Sequence, residues 1–104
     1  MDSRMVDSLG RELFTYTLML KQVGAPYDSA KLKGIVKALE QLCYHFSKLI
    51  QERPEYLHNI IKLCILNLQV DAINEGYKEL VPVCEYIQKL LDRMLEEYQK
   101  TNKS

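Results

Sequence analysis

Apolar residues recur every three or four positions through four segments of this chain, the spacing that gathers them on one face of an α-helix. No segment alternates apolar and polar residues over six positions, as a half-buried strand would. Breaks at residues 23–26, 52–55 and 74–77, each holding a glycine or a proline, separate the segments. Because the segments are similar in length and their connections are short, the pattern predicts an all-α fold, an antiparallel (up-down-up-down) four-helix bundle.

The second segment has the most regular apolar seam. Its apolar residues occupy the a, d and e positions of three consecutive heptads: Leu32, Ile35, Val36, Leu39, Leu42, Cys43, Phe46, Leu49 and Ile50. This seam predicts a single amphipathic helix of about 22 residues. The first and fourth segments repeat the seam, and Phe14 and Leu18 broaden the apolar face predicted for the first.

The third segment is apolar on two sides. At 100° per residue, one group of side chains forms a first stripe: Leu57, Ile61, Cys64, Ile65, Leu68 and Ala72. A second stripe lies almost diametrically opposite: Leu63, Leu66, Val70 and Ile73. A helix at the edge of a bundle needs one apolar stripe, so this helix is expected to be buried on both sides. Either it is central in an irregular bundle, or the second stripe binds another chain.

Four glycines punctuate the predicted helices. Gly10 and Gly34 lie inside helical segments, where each costs about 1 kcal/mol relative to alanine. A close approach by a neighbouring helix would explain both residues. Gly24 and Gly76 follow periodic runs, and Gly24 is placed to form a left-handed cap.

Charge and hydropathy limit the partners that this chain can bind. Fourteen Lys and Arg residues balance fourteen Asp and Glu residues, so the net charge is zero and we expect no nucleic-acid partner. No run of about 18 apolar residues occurs, so we expect no membrane insertion. A length of 104 residues fits one helical-bundle domain over residues 1–104, with polar residues 99–104 expected to form a frayed tail.

The cysteines favour a cytoplasmic protein. Cys43, Cys64 and Cys84 are an odd number, and each lies in an apolar stretch, whereas disulfide frameworks use even numbers. Residues 1–13 mix charges of both signs and lack the apolar core of a secretory signal. No C-x-x-C or H-x-x-x-H spacing occurs, so we expect neither a metal site nor a cofactor.

One short motif suggests an enzyme. Arg53 and His58 have the spacing R-x-x-x-x-H, which resembles the short motif of HEPN-type helical ribonucleases. The resemblance covers six residues and implies that a paired Arg and His act on the RNA backbone across a dimer. Pro54 stands where such motifs usually carry a polar residue, and the chain has no basic surplus to hold RNA.

No catalytic residues are predicted otherwise, and the leading hypothesis is a small, cytoplasmic, non-enzymatic protein-interaction module. It would act as an adapter, chaperone or regulator through the second stripe on the third helix. The general pattern is similar to that of small bacterial helical chaperones and immunity proteins, so a bacteriocin-immunity-type bundle is an alternative beside the HEPN-like ribonuclease. Self-association as a homodimer is the simplest use of the stripe, because twofold pairing needs only one such surface.

Overall fold

The computed structural model describes residues 2–103, with side chains through residue 100. Helix makes up 91% of this part of the chain, and no strand occurs in it, which confirms the all-α prediction. The elements are α1 (Ser3–Gly24), a 3-10 turn (Ala25–Tyr27), α2 (Ala30–Tyr44), α3 (Phe46–Glu52), α4 (Pro54–Glu75) and α5 (Leu80–Lys103). Among these helices, none combines the length and the apolar character needed to cross a lipid bilayer.

The predicted count of four helices is wrong, because the second segment breaks into α2 and α3 at His45. His45 has φ −103° and ψ 15°, outside helical geometry, although its carbonyl still accepts the Leu49 N–H at 2.9 Å. After the break, the buried Phe46 ring lies against Gly10 of α1, where an added Cβ would come within 3.0 Å of it. Gly10 therefore marks a close approach, as predicted.

The helices pack around one core. α1 and α4 each pack against α2, α3 and α5. Buried aliphatic side chains from all five helices form this core, and the largest fully buried ones include Leu13, Leu39, Ile65 and Ile87. The prediction that Phe14 and Leu18 broaden the buried face of α1 is wrong, since these side chains are 50% and 38% exposed. α2 contacts the adjacent side of α1 instead, where Cys43 lies against Thr17.

The three predicted breaks occur where expected. Ser29 Oγ accepts the Leu32 N–H at 3.2 Å and caps α2, while Pro54 begins α4 at a position that needs no intrahelical N–H. α4 ends at Gly76, whose φ of 73° is a left-handed conformation that favours glycine. α5 extends through Lys103, so it includes residues 99–103 of the predicted tail, while Ser104 lies outside the described residues.

Gly24 differs from the prediction of a left-handed cap. Its φ of −86° is ordinary for any residue, and the left-handed residue of this connection is Asp28, with φ 49°. Gly24 is needed for space instead, because an added Cβ would lie 2.3 Å from Leu32 Cδ2. The first turn of α2 therefore packs directly on the end of α1.

Candidate functional site

The second stripe lies on the solvent side of α4. The exposed fractions of its residues are 58% for Leu63, 42% for Leu66, 55% for Val70 and 76% for Ile73. The first stripe faces the core: Cys64 is half-buried and its other five residues are fully buried. The structure therefore buries α4 on one side only, and the alternative of a central third helix is wrong for this chain by itself.

The solvent side of α4 is apolar and carries almost no charge. Between Glu55 and Glu75, the Asp, Glu, Lys and Arg residues of α4 are Lys62 and Asp71 alone. Exposed asparagines lie along the stripe or beside it: Asn59, Asn67 and Asn74. Protein surfaces typically devote a quarter or more of their residues to charged side chains. This strip, about 15 Å long from Leu63 to Ile73 at 1.5 Å per residue, is unusually free of them.

Polar contacts hold α4 in place on both sides of the stripe. On one side, Gln88 Nε2 of α5 donates a hydrogen bond to Gln69 Oε1 at 2.7 Å. On the other side, Lys31 of α2 pairs with Asp71 at 3.0 Å. Since both contacts join α4 to neighbouring helices, the four aliphatic side chains are presented on a supported backbone rather than on a loop.

Arg53 and His58 do not converge within the chain. The Arg53 guanidinium stacks over the Tyr56 ring, 4.3 Å from its centroid. His58 lines a cleft of about 300 Å³ with residues of α3, α4 and α5, among them Ile50, Glu55 and Tyr98. Tyr56 and His58 are two residues apart, about 200° around the helix. The two residues of the R-x-x-x-x-H motif therefore face different surroundings.

A second concave surface was not predicted from the sequence. A groove of about 930 Å³ runs between α1 and the α2–α3 break, and its lining includes Phe14, Cys43, Tyr44 and Phe46. Its lining comes from α1, α2 and α3, on both sides of His45. The sequence gives only a weak indication of this groove. Phe14 and Tyr44 are bulky aromatic residues that are not needed to complete the apolar seams of their helices.

A polar cluster of several connected side chains joins α1 to α5. Glu12 pairs with Arg93 and accepts a hydrogen bond from Tyr16 Oη at 2.7 Å, and the Tyr16 ring stacks on Tyr86. Burial alone would raise the pKa of Glu12, but the hydrogen bonds from Arg93 and Tyr16 outweigh it and lower that pKa. A carboxylate held ionised between two donors stabilises the packing and is poorly suited to exchange protons.

The three cysteines are free thiols. Cys43 lies 3.8 Å from Thr17 Oγ1 and is half-buried, like Cys64, while Cys84 is fully buried. Burial raises the pKa of all three thiols, and that of Cys84 reaches about 11, with the Glu85 carboxylate adding to the effect. Raised thiol pKa values suppress the nucleophilic thiolate.

Cys84 should make stability fall at alkaline pH. Its thiol ionises at about pH 9 in the unfolded chain and at about pH 11 in the folded one, so only the protonated form suits the core. The thiol therefore leaves the free energy of unfolding unchanged below pH 9 and lowers it from pH 9 to pH 11. Urea denaturation of the parent and of Cys84→Ala at each pH measures this: the decline should be steeper in the parent, and equal slopes would contradict it.

No other arrangement in the described structure indicates a specific chemistry. Among residues 2–103, no group of three or more His, Cys, Asp or Glu side chains is placed to hold a metal ion. Comparison of the chain with protein-family models, with curated protein sequences and with solved structures found no match. The second stripe is therefore the candidate functional site on the surface of the described structure.

Proposed function

We propose that this protein is a small, cytoplasmic, non-enzymatic interaction module, an adapter, chaperone or regulator, which binds a protein through the second stripe on α4. The observation that carries the proposal is the exposure of Leu63, Leu66, Val70 and Ile73 on a face almost without charge. The largest contiguous apolar patch on a typical monomeric protein covers roughly 300–600 Å² and is often a functional contact site.

The stripe suits another helix as its ligand. Its residues follow the three- and four-residue spacing by which one helix packs against another, or enters an apolar groove. Burying such side chains contributes about 25 cal/mol per Å² of apolar surface. Part of this gain is offset by the loss of translational and rotational freedom on association. The flanking asparagines can supply the polar rim that protein interfaces usually have.

We also infer that the five helices form an antiparallel four-helix bundle in which α2 and α3 together take the place of one helix. Two observations support this. α2 and α3 are separated by a single residue, His45, and both pack against α1 and α4. The connections between the other helices are short, which favours antiparallel neighbours. In such a bundle the edge position of α4 leaves its second stripe free for a homodimer or another partner.

Charge placed on the stripe should remove the interaction. Leu66→Glu combined with Val70→Glu puts two carboxylates at the centre of the contact, where they would have to be buried without partners. We expect association to weaken roughly 30-fold or more, the effect of losing an interface hot spot. Sedimentation velocity measures self-association, and affinity capture from cell extract, quantified by mass spectrometry, measures other partners.

Phe14→Glu combined with Leu18→Glu provides the matched control. These residues are also exposed, apolar and four positions apart, but they lie on α1. The control should keep full association, and circular dichroism should show both double variants folded. Association that survives in the α4 variant, or that is lost equally in the control, would reject the proposed interface.

A further inference from the structure

We infer that the second stripe binds the second stripe of another copy of this chain, with the two α4 helices antiparallel about a twofold axis at the level of position 68. The inference rests on the proposed function, because it names the partner of the same surface. The spacing of the stripe and the charges beside it support this partner, and the area that the stripe offers indicates how tightly the two copies associate.

The stripe is symmetric about its own midpoint. Its four residues stand at intervals of three, four and three positions, so positions 63 and 73, and 66 and 70, are equidistant from position 68. In an antiparallel pair centred there, Leu66 lies opposite the partner's Val70, and Leu63 lies opposite the partner's Ile73. A twofold contact requires such reciprocity, since residue i must meet residue j while j meets i. Every aliphatic side chain of the stripe then meets another one.

The charges beside the stripe tolerate this pairing. The two copies of Lys62 are about 18 Å apart along the axis, beyond the screening length of about 8–10 Å at physiological salt. Along the axis, each Lys62 is level with the last turn of the partner's α4, where a helix favours a cation. Asp71 is already paired with Lys31 within its own chain. Antiparallel helices also bring opposite ends of their dipoles together.

The area available predicts a weak, reversible dimer. A stable dimer buries about 800 Å² per subunit, whereas the second stripe offers on the order of a few hundred Å². The flanking Asn59, Asn67 and Asn74, and the exposed Leu95 of α5 on the rim of the His58 cleft beside Asn59, enlarge the contact. An interface smaller than this standard should associate weakly, at roughly submillimolar concentrations.

Directed disulfides test the antiparallel register. Cys43→Ser and Cys64→Ser first remove the half-buried thiols, and the buried Cys84 is kept. Leu63→Cys and Ile73→Cys are then prepared as separate chains in this background. In the antiparallel pair, identical substituted positions lie about 15 Å apart, too far for a disulfide, while unlike positions face each other. Under mild oxidation, the mixture should cross-link at least roughly tenfold faster than either chain alone.

Every outcome bears on the inference. Cross-linking in the mixture, together with a dimer of the unsubstituted chain in sedimentation equilibrium, supports it. Rapid cross-linking of each variant with itself would indicate parallel pairing and overturn it. An unsubstituted chain that stays monomeric at about 1 mM would also overturn it. If the monomeric chain still captured a protein, and Leu66→Glu with Val70→Glu abolished that capture, the interaction module would stand and only the second copy as its partner would be wrong. If the chain neither dimerised nor captured a protein through the stripe, both proposals would fail.

Discussion

Ile65→Asp should unfold this protein, whereas Leu66→Asp, one residue later, should leave it folded. Ile65 is fully buried and Leu66 is 42% exposed, although both are large aliphatic residues on the same helix. An aspartate at position 65 loses the packing of the isoleucine and buries an unpaired carboxylate, a combined cost of more than about 5 kcal/mol. Domains of this size are stable by only about 5–15 kcal/mol.

The same aspartate at position 66 meets water. Only the lower helix propensity of aspartate and the loss of partial burial oppose it, so we expect a change of about 1 kcal/mol or less in the free energy of unfolding. Urea denaturation followed by circular dichroism measures both variants against the parent. If Leu66→Asp unfolded the chain as well, the second stripe would be part of the core, and both the interaction module and the dimer would be refuted.

Alanine should have opposite effects at two glycines. Gly24 has a backbone conformation that alanine accepts, but the new Cβ would lie 2.3 Å from Leu32 Cδ2 in a buried contact. Gly24→Ala should therefore lower the free energy of unfolding by about 1–3 kcal/mol through overpacking. Gly34 lies inside α2, and a Cβ added there would have no neighbouring atom within 4 Å, so Gly34→Ala should raise it by about 1 kcal/mol.

Each glycine variant is the control for the other, because the chemical change is identical. Thermal or urea unfolding should place the two variants on opposite sides of the parent, roughly 2–4 kcal/mol apart. Equal effects of the same sign would mean that the packing of Leu32 does not prevent a larger residue at position 24. The prediction also corrects the expectation of a close helix approach at Gly34, which holds for Gly10 and not for Gly34.

Helical structure was predictable because it depends on near neighbours. The three- and four-residue spacing of apolar side chains locates the helices, and Pro54 and Gly76 mark ends that the structure places at those residues. The break at His45 was not predictable in this way, since the apolar seam continues across it from Leu42 through Phe46 to Leu49. Directly after the break, Phe46 packs against Gly10, which is 36 residues away in the chain, and near-neighbour spacing does not reveal such a contact.

The candidate site was likewise predictable in part from near neighbours and in part only from the tertiary structure. The sequence by itself determined that α4 carries two opposite apolar stripes, because residue order and a 100° rotation per residue suffice to place Leu63, Leu66, Val70 and Ile73 together. Only the tertiary structure decided which stripe is covered and left these four residues exposed. The physical reason is that burial depends on which surfaces the other helices occupy. α2, α3 and α5 all pack around the side of α4 that carries Ile61 and Ile65.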